Sequence, residues 1–148
     1  MKLIAFFSAS GVTRKAAEAL SAVSGADTYE IVPEEIYTDE DLDWRNKKSR
    51  SSVEMQDESS RPAIKGNLPD LSSYDTVYIG FPIWWGVAPR IINTFIEKSD
   101  LKGKRIVIFA TSGGSTLPYA VKDLEKKYPE LNIENGKLLN GRVTEDII

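Results

Sequence analysis

Short apolar runs alternate along the chain with segments in which apolar residues recur at helical spacing. The runs Leu3–Phe7, Thr76–Phe81 and Arg105–Ala110 predict strands that are buried on both faces of a sheet. Two weaker runs, Thr28–Val32 and Ile133–Leu139, predict further strands. Because Thr28–Val32 is less apolar than the first strand, we expect it at an edge of the sheet.

Three segments between these strands predict helices. In Thr13–Val23 the apolar residues fall at positions 16, 17, 20 and 23, and Gly25 marks the end of the helix. Pro89–Lys98 begins with a proline, which suits the first turn of a helix, and Leu117–Lys127 follows the fourth strand. Strand and helix therefore alternate, which predicts an α/β fold with an open parallel sheet and helices on both faces.

Residues 34–65 interrupt this alternation. The segment is polar and charged, it is too long for an ordinary connection, and its apolar face is weak. We expect one loosely packed helix within irregular coil. Trp44 is expected to pack against that helix, and Arg50 is assigned to the solvated surface rather than to a ligand.

Composition limits the chemistry that the side chains can perform. The 148 residues, 41% hydrophobic and 28% charged, predict a single globular domain that spans the chain. The sequence contains no cysteine and no histidine, which removes disulfides, thiolate metal sites and the commonest general base. We therefore assign no metal ligand and no catalytic side chain, and expect a cofactor to supply the chemistry.

Charge and hydropathy indicate a small-molecule partner. The net charge is only −3, and the lysines and arginines are scattered, so nothing indicates binding to nucleic acid. No apolar run approaches the length of a membrane span. The N-terminal apolar run is shorter than a signal peptide requires and is soon followed by Arg14 and Lys15, so we expect a cytoplasmic protein.

Three unusual loops follow predicted strands one, three and four. Their sequences are SASGVT at residues 8–13, PIWWG at residues 82–86 and TSGGS at residues 111–115. Ligands of open parallel sheets bind where the strands end, so these loops should converge. Free amide groups and three hydroxyls make the first loop suitable for a phosphate monoester. The simpler alternative is that Ser10 or Thr13 only caps the following helix.

The paired tryptophans of the second loop call for two different environments. Adjacent side chains seldom face the same interior, so we expect one of Trp84 and Trp85 to pack inward and the other to cover a planar ligand. The third loop offers hydroxyls and glycine amides to the polar edge of a heterocycle. Taken alone, it is explained more simply as a flexible loop in which Ser115 or Thr116 caps the next helix.

These loops give the chain a clear resemblance to the flavodoxin family, in the branch where PIWWG follows strand three. The resemblance spans nearly the whole chain and implies five parallel strands ordered 2-1-3-4-5 with non-covalently bound flavin mononucleotide, FMN. The first loop would hold the phosphate, the second would line the flavin ring, with a carbonyl at Gly86 meeting ring nitrogen N5, and the third would meet the pyrimidine edge. The implied cofactor-binding residues are Ser8, Ala9, Ser10, Gly11, Val12, Thr13, Pro82, Ile83, Trp84, Trp85, Gly86, Thr111, Ser112, Gly113, Gly114 and Ser115.

The resemblance implies electron transfer through FMN, to redox partner proteins or a small-molecule acceptor. The alternative is an NAD(P)H-dependent quinone or flavin reductase that uses the same site. A receiver-type signalling domain is rejected, because Ser8 and Pro82 stand where carboxylates would be needed. The oligomeric state stays open.

The chain departs from the family pattern in three respects. The acidic excess is weak for an electron shuttle. The third loop has no aromatic residue, so glycine backbone or Tyr119 would cover the second ring face. Finally, the chain ends soon after Thr144, which makes the last helix very short or absent.

Overall fold

The computed structural model describes residues 1–9, 11–43, 45–111 and 117–138. The predictions for Trp44 and for the last helix, which would begin near Thr144, lie outside these residues. Within the described part of the chain, no helix has the length and apolar character needed to cross a membrane.

Five parallel strands form one sheet. They are β1 (Lys2–Phe6), β2 (Asp27–Glu30), β3 (Thr76–Pro82), β4 (Arg105–Thr111) and β5 (Asn132–Leu138). Their order is β2-β1-β3-β4-β5, which confirms the predicted topology and places the less apolar strand β2 at an edge. The carboxyl ends of β1, β3 and β4 therefore lie side by side.

Four helices connect the described strands. They are α1 (Val12–Ser24), α2 (Arg50–Gln56), α3 (Arg90–Lys98) and α4 (Leu117–Lys127). Gly25 ends α1 in the left-handed region with a φ of 72°, as its sequence position predicts. Pro89 is the N-cap of α3 rather than a residue of its first turn, so the helix begins one residue later than expected.

Alternate residues of each strand supply two separate cores. On β1, Ile4 and Phe6 pack with α1 on one face of the sheet, whereas Leu3 and Ala5 face the opposite core together with residues of α3 and α4. Since successive strand side chains point to opposite faces, a continuous apolar run can satisfy both layers of helices.

Strand β2 ends earlier than predicted because the chain that follows it pairs elsewhere. Pro33 forms an antiparallel bridge with Ile64, and the amide of Glu34 donates to the carbonyl of Ala63 at 2.9 Å. The excursion between these pairs therefore leaves and rejoins the fold at the same point, beside the carboxyl end of β2.

The helix within this excursion is packed, which corrects the expectation of a loose one. Ser49 caps α2 by accepting from the amide of Ser52, and three residues of the short helix are buried, namely Ser51, Ser52 and Met55. At its end the guanidinium of Arg90, itself only 4% exposed, donates to the carbonyl of Met55 at 2.8 Å. Two of the three buried residues are serines, which is why hydrophobic periodicity did not reveal the inward face.

Candidate functional site

Thr111, the last residue of β4, joins the loops that follow three different strands. Its carbonyl accepts a hydrogen bond from the amide of Ile83 at 3.0 Å. Its side-chain oxygen lies 2.8 Å from that of Thr13, and both threonines are buried. The first and second loops therefore meet at the end of β4, and the third loop beyond Thr111 lies outside the described residues.

The two threonine hydroxyls also retain donor capacity. Only one of them can donate within the pair, so the hydroxyl that accepts keeps its own hydrogen for another acceptor. The pair places the Thr111 side chain against the first loop, whose residues the sequence assigns to the phosphate. From sequence alone, Thr111 is assigned only to the third loop. A buried hydroxyl donor of this kind is suited to an anionic oxygen.

Among the residues that the structure describes, no side chain caps the start of α1. Gly11 is the N-cap, with a φ of 93°, and its own amide donates to the Ser8 hydroxyl oxygen at 3.0 Å. The capping alternative is thus wrong for Thr13, whose hydroxyl pairs with Thr111 instead, and Ser10 lies outside the described residues. The first-turn amides and the positive end of the helix dipole remain suited to an anion.

Arg14, a positively charged residue in the first turn of α1, forms an ion pair with Glu30. Arg14 donates to Glu30 of β2 from Nε at 3.2 Å, and a second bond from Nη2 makes the pair bidentate. The hydrogen bond to Glu30 raises the pKa of Arg14. The positive charge beside the first loop is therefore largely balanced, and the attraction for an anion rests on amides and hydroxyls.

The tryptophan loop is a tight two-residue turn. The amide of Trp84 donates to the carbonyl of Val87 at 2.9 Å, and the amide of Val87 returns a bond at 3.0 Å. The two central residues have positive φ angles, 51° at Trp85 and 82° at Gly86, as a type I′ turn requires. Glycine adopts this region freely, whereas Trp85 does so at a cost of roughly 1–2 kcal/mol. Trp85 is the one non-glycine residue with positive φ among those described.

The two indoles have different environments, as the sequence predicts. Trp84 is half-buried and meets the rings of Phe7 and Tyr37 edge-on, at centroid distances of 5.6 and 5.5 Å. Trp85 is 52% exposed at the tip of the turn. A strained backbone that presents a large apolar ring to solvent is typical of a functional surface.

A second exposed aromatic side chain reaches the same turn from α4. Tyr119 is 61% exposed, and a Cβ atom added to Gly86 would lie 3.4 Å from two atoms of its ring. The ring therefore packs on the bare backbone of Gly86. The turn therefore carries aromatic rings from two different elements. That glycine backbone or Tyr119 covers the second face of the flavin ring stays a prediction.

The remaining predicted residues divide by position. Pro82 and Ile83 are half-buried where β3 ends, Ala9 packs against the core, and Val12 is exposed at the start of α1. Five predicted residues lie outside the described part of the chain: Ser10, Ser112, Gly113, Gly114 and Ser115. The described residues contain no group of three acidic side chains placed to hold a metal ion.

Sequence reasoning missed the residues behind Trp84. Tyr37 lies in the polar excursion and is 8% exposed, with Arg50 stacked over its ring at 3.9 Å from the ring centroid. The assignment of Arg50 to solvated surface is therefore wrong, because its guanidinium is held against Tyr37 and Glu54. The Arg50–Glu54 pair has the i,i+4 spacing of a helical ion pair, which is a local signal. The contacts of Tyr37 with Trp84 and Glu54 have no such signal, because they join residues far apart in the chain.

Comparisons with known proteins agree with this arrangement. The sequence profile of the flavodoxin family matches residues 1–148. A protein from Bacteroides eggerthii, described as a candidate flavoprotein, has 55% identity and a TM-score of 0.96, with coverage of 99% of this chain and 92% of its own. A comparison with curated proteins found no match.

Two more distant structures carry cofactor or fold information. A flavoprotein from Lactobacillus acidophilus, solved in complex with FMN, has 25% identity and a TM-score of 0.76, with coverage of 93% of this chain and 91% of its own. Oxidised flavodoxin 2 from Bacillus cereus has 20% identity and a TM-score of 0.54, with coverage of 99% of this chain and 89% of its own. The latter likeness concerns the fold alone.

We predict that Gly86→Ala lowers the free energy of unfolding by about 1–2 kcal/mol, because alanine must enter the left-handed region. Urea denaturation measures the change. Gly103→Ala is the matched control, since Gly103 has a similar φ of 75° with open space around a new Cβ. The two variants should lose similar stability. An unchanged stability of Gly86→Ala would contradict the positive φ at this turn.

Proposed function

The chain belongs to the flavodoxin family, and from that premise we propose that it binds FMN and carries electrons between redox partners. The observation that carries the proposal is the convergence at Thr111. It brings the start of α1, which has no side-chain cap among the described residues, and the exposed aromatic turn to one edge of the sheet. One of these features suits a phosphate, and the other suits a planar ring.

The residues of the first loop fit the phosphate end of FMN. The amides at the start of α1 have no side-chain cap among the described residues, and the hydroxyl pair of Thr13 and Thr111 can donate one further bond. Arg14 is engaged by Glu30, so these neutral donors would hold the phosphate. Neutral donors fix the position of an anion without adding a charge that would attract other anions.

The aromatic turn fits the ring end of FMN. Trp85 offers an exposed indole at the tip, and Tyr119 offers a second ring against Gly86. Large apolar rings favour stacking with a planar heterocycle and remove water from its surface. Two aromatic covers support a carrier, because a carrier gains from shielding its cofactor against small oxidants.

FMN itself accepts and returns electrons, so the protein needs to bind, orient and shield it. The predicted cofactor-binding residues include no carboxylic acid, amine, imidazole or thiol. They therefore provide hydrogen bonds and packing but no acid or base. This composition supports electron transfer over catalysis that depends on a proton-transferring side chain.

A reductase is the second candidate, because the same FMN site would serve it. A cavity of about 210 Å³ adjoins the first loop at Ser8 and Ala9, and its lining includes the apolar side chains of Phe7 and Ile36 and the charged pair of Arg14 and Glu30. A cavity of about 150 Å³ is enough to hold a benzene ring. This cavity adjoins the loop assigned to the phosphate and not the turn assigned to the flavin ring, so it does not favour the reductase over the carrier.

We predict that Thr13→Val weakens binding of FMN at least about tenfold more than binding of riboflavin, which lacks the phosphate. Fluorescence titration of the cofactor-free protein measures both affinities. Thr76→Val is the control, because Thr76 is a buried threonine at the opposite end of β3. Equal losses for the two ligands would argue against a phosphate site at α1.

We predict that Trp85→Asn weakens FMN and riboflavin binding equally, by at least about tenfold, because both ligands lose the stacked indole. Asparagine tolerates positive φ, so the turn should keep its backbone. Urea denaturation checks that the variant is folded. Affinity that matches the unmodified protein would exclude Trp85 from the ring site.

Electron-transfer kinetics separate the two candidate functions. A carrier should oxidise NADH and NADPH slowly in the presence of a quinone and should exchange electrons with a reductase protein in one-electron steps. Stopped-flow absorbance at the flavin bands measures both reactions. Rapid turnover of a nicotinamide nucleotide with a quinone would favour the reductase instead.

A further inference from the structure

Three aromatic rings pack together behind the tryptophan turn. Phe7, Tyr37 and Trp84 meet pairwise edge-on, with centroid distances between 5.5 and 5.7 Å. Phe7 immediately follows β1, whereas Tyr37 comes from the excursion between β2 and β3. The ring of Tyr37 therefore limits the movement of the Trp84 side chain.

Tyr37 is itself fixed by side chains of α2. Its hydroxyl donates to one carboxylate oxygen of Glu54, and Arg50 donates to the other oxygen at 3.0 Å. Arg50 also stacks on the Tyr37 ring and donates to the carbonyl of Glu35 at 2.6 Å. Burial and the bond to Glu54 raise the pKa of Tyr37, so its hydroxyl remains a donor.

The backbone of α2 holds the other end of the loop. Arg90 is the first residue of α3, with two residues between it and the turn, and it donates from Nε to the carbonyl of Glu54 at 3.3 Å. A second bond joins Arg90 to the carbonyl of Met55. The negative end of the α2 dipole favours this buried cation. Glu54 therefore supports the loop on two sides. Its carboxylate accepts from Tyr37, which packs on Trp84, and its backbone carbonyl accepts from Arg90, which follows the loop.

The unfavourable positive φ of Trp85 must be maintained by the residues around the turn. A residue with an unfavourable φ persists only where its surroundings fix it, and Trp84, which precedes Trp85, is the residue that Tyr37 holds. We propose that Tyr37 and Glu54 are positioning residues that hold the tryptophan turn in the geometry that receives the flavin ring. This inference rests on the proposed FMN site and assigns a role to the excursion between β2 and β3.

The test compares Tyr37→Phe with Tyr128→Phe. Tyr128 is equally buried, at 8% exposed, and donates to Glu97 at 2.5 Å in a pair that joins the C-terminal ends of α3 and α4. Each variant removes one tyrosine–glutamate bond and keeps the ring. Tyr128→Phe also removes the bond that the Asn93 side-chain amide donates to the Tyr128 hydroxyl at 3.1 Å, so the control should lose at least as much stability. Both should lower the urea midpoint, but only Tyr37→Phe should weaken FMN and riboflavin equally, by about fivefold.

Glu54 variants supply the rescue that a positioning role requires. Glu54→Gln keeps a carbonyl oxygen that can accept from the Tyr37 hydroxyl, so its flavin affinity should stay within about twofold of the unmodified protein. Glu54→Ala removes the acceptor and should lose affinity at least about as strongly as Tyr37→Phe. The visible circular dichroism of the bound flavin should change in Glu54→Ala and Tyr37→Phe only.

A second measurement needs no flavin. Near-ultraviolet circular dichroism of the cofactor-free protein should show a larger change in tryptophan bands for Tyr37→Phe than for Tyr128→Phe. Equal spectra and equal flavin affinities of these two variants would overturn the positioning role. A loss confined to FMN would also overturn it, since the effect would then lie at the phosphate. Failure of the unmodified protein to bind either flavin would instead refute the proposed function.

Discussion

The candidate site depends on the hydrogen bonds that Thr111 makes at the end of β4. Parallel pairing brings the ends of β1, β3 and β4 to one edge, but it leaves the loops beyond them free to diverge. The bonds from Thr111 to Thr13 and Ile83 prevent this divergence. Because both threonines are buried, water competes poorly for these bonds. The bonds therefore fix the position of the first loop relative to the second.

Each end of the candidate site contains a local structure that does not favour the stability of the protein but suits the binding of a ligand. Helix α1 begins at a glycine in the left-handed region with no side-chain cap among the described residues, and Trp85 occupies a backbone conformation that suits asparagine or glycine. Both features leave something exposed, amides in the first case and an indole in the second. A ligand that combines an anion with a planar ring satisfies both, which is the physical basis for proposing FMN.

The alternation of strands and helices was sufficient to predict a parallel sheet and the position of the loops, because apolar periodicity reports directly on burial. The order of the strands was implied by the family resemblance and not by the alternation. The division between Trp84 and Trp85 was also predictable, since neighbouring side chains rarely share one interior. Sequence could not predict the turn itself, because tryptophan is an unfavourable residue at positive φ. It also could not predict the contacts of Tyr37 with Trp84 and of Arg90 with Glu54, which join a polar excursion to a distant loop. Nor could it predict the bond between Tyr37 and Glu54, which lie 17 positions apart within the excursion. Such contacts carry no local signal.

A crystal structure of the protein with bound FMN would test the central claim most directly. The account predicts that the phosphate lies within hydrogen-bond distance of the amides at the start of α1, and that the flavin ring stacks on Trp85 with Trp84 still against Tyr37. A phosphate bound away from α1, or a flavin ring that does not contact Trp85, would contradict it.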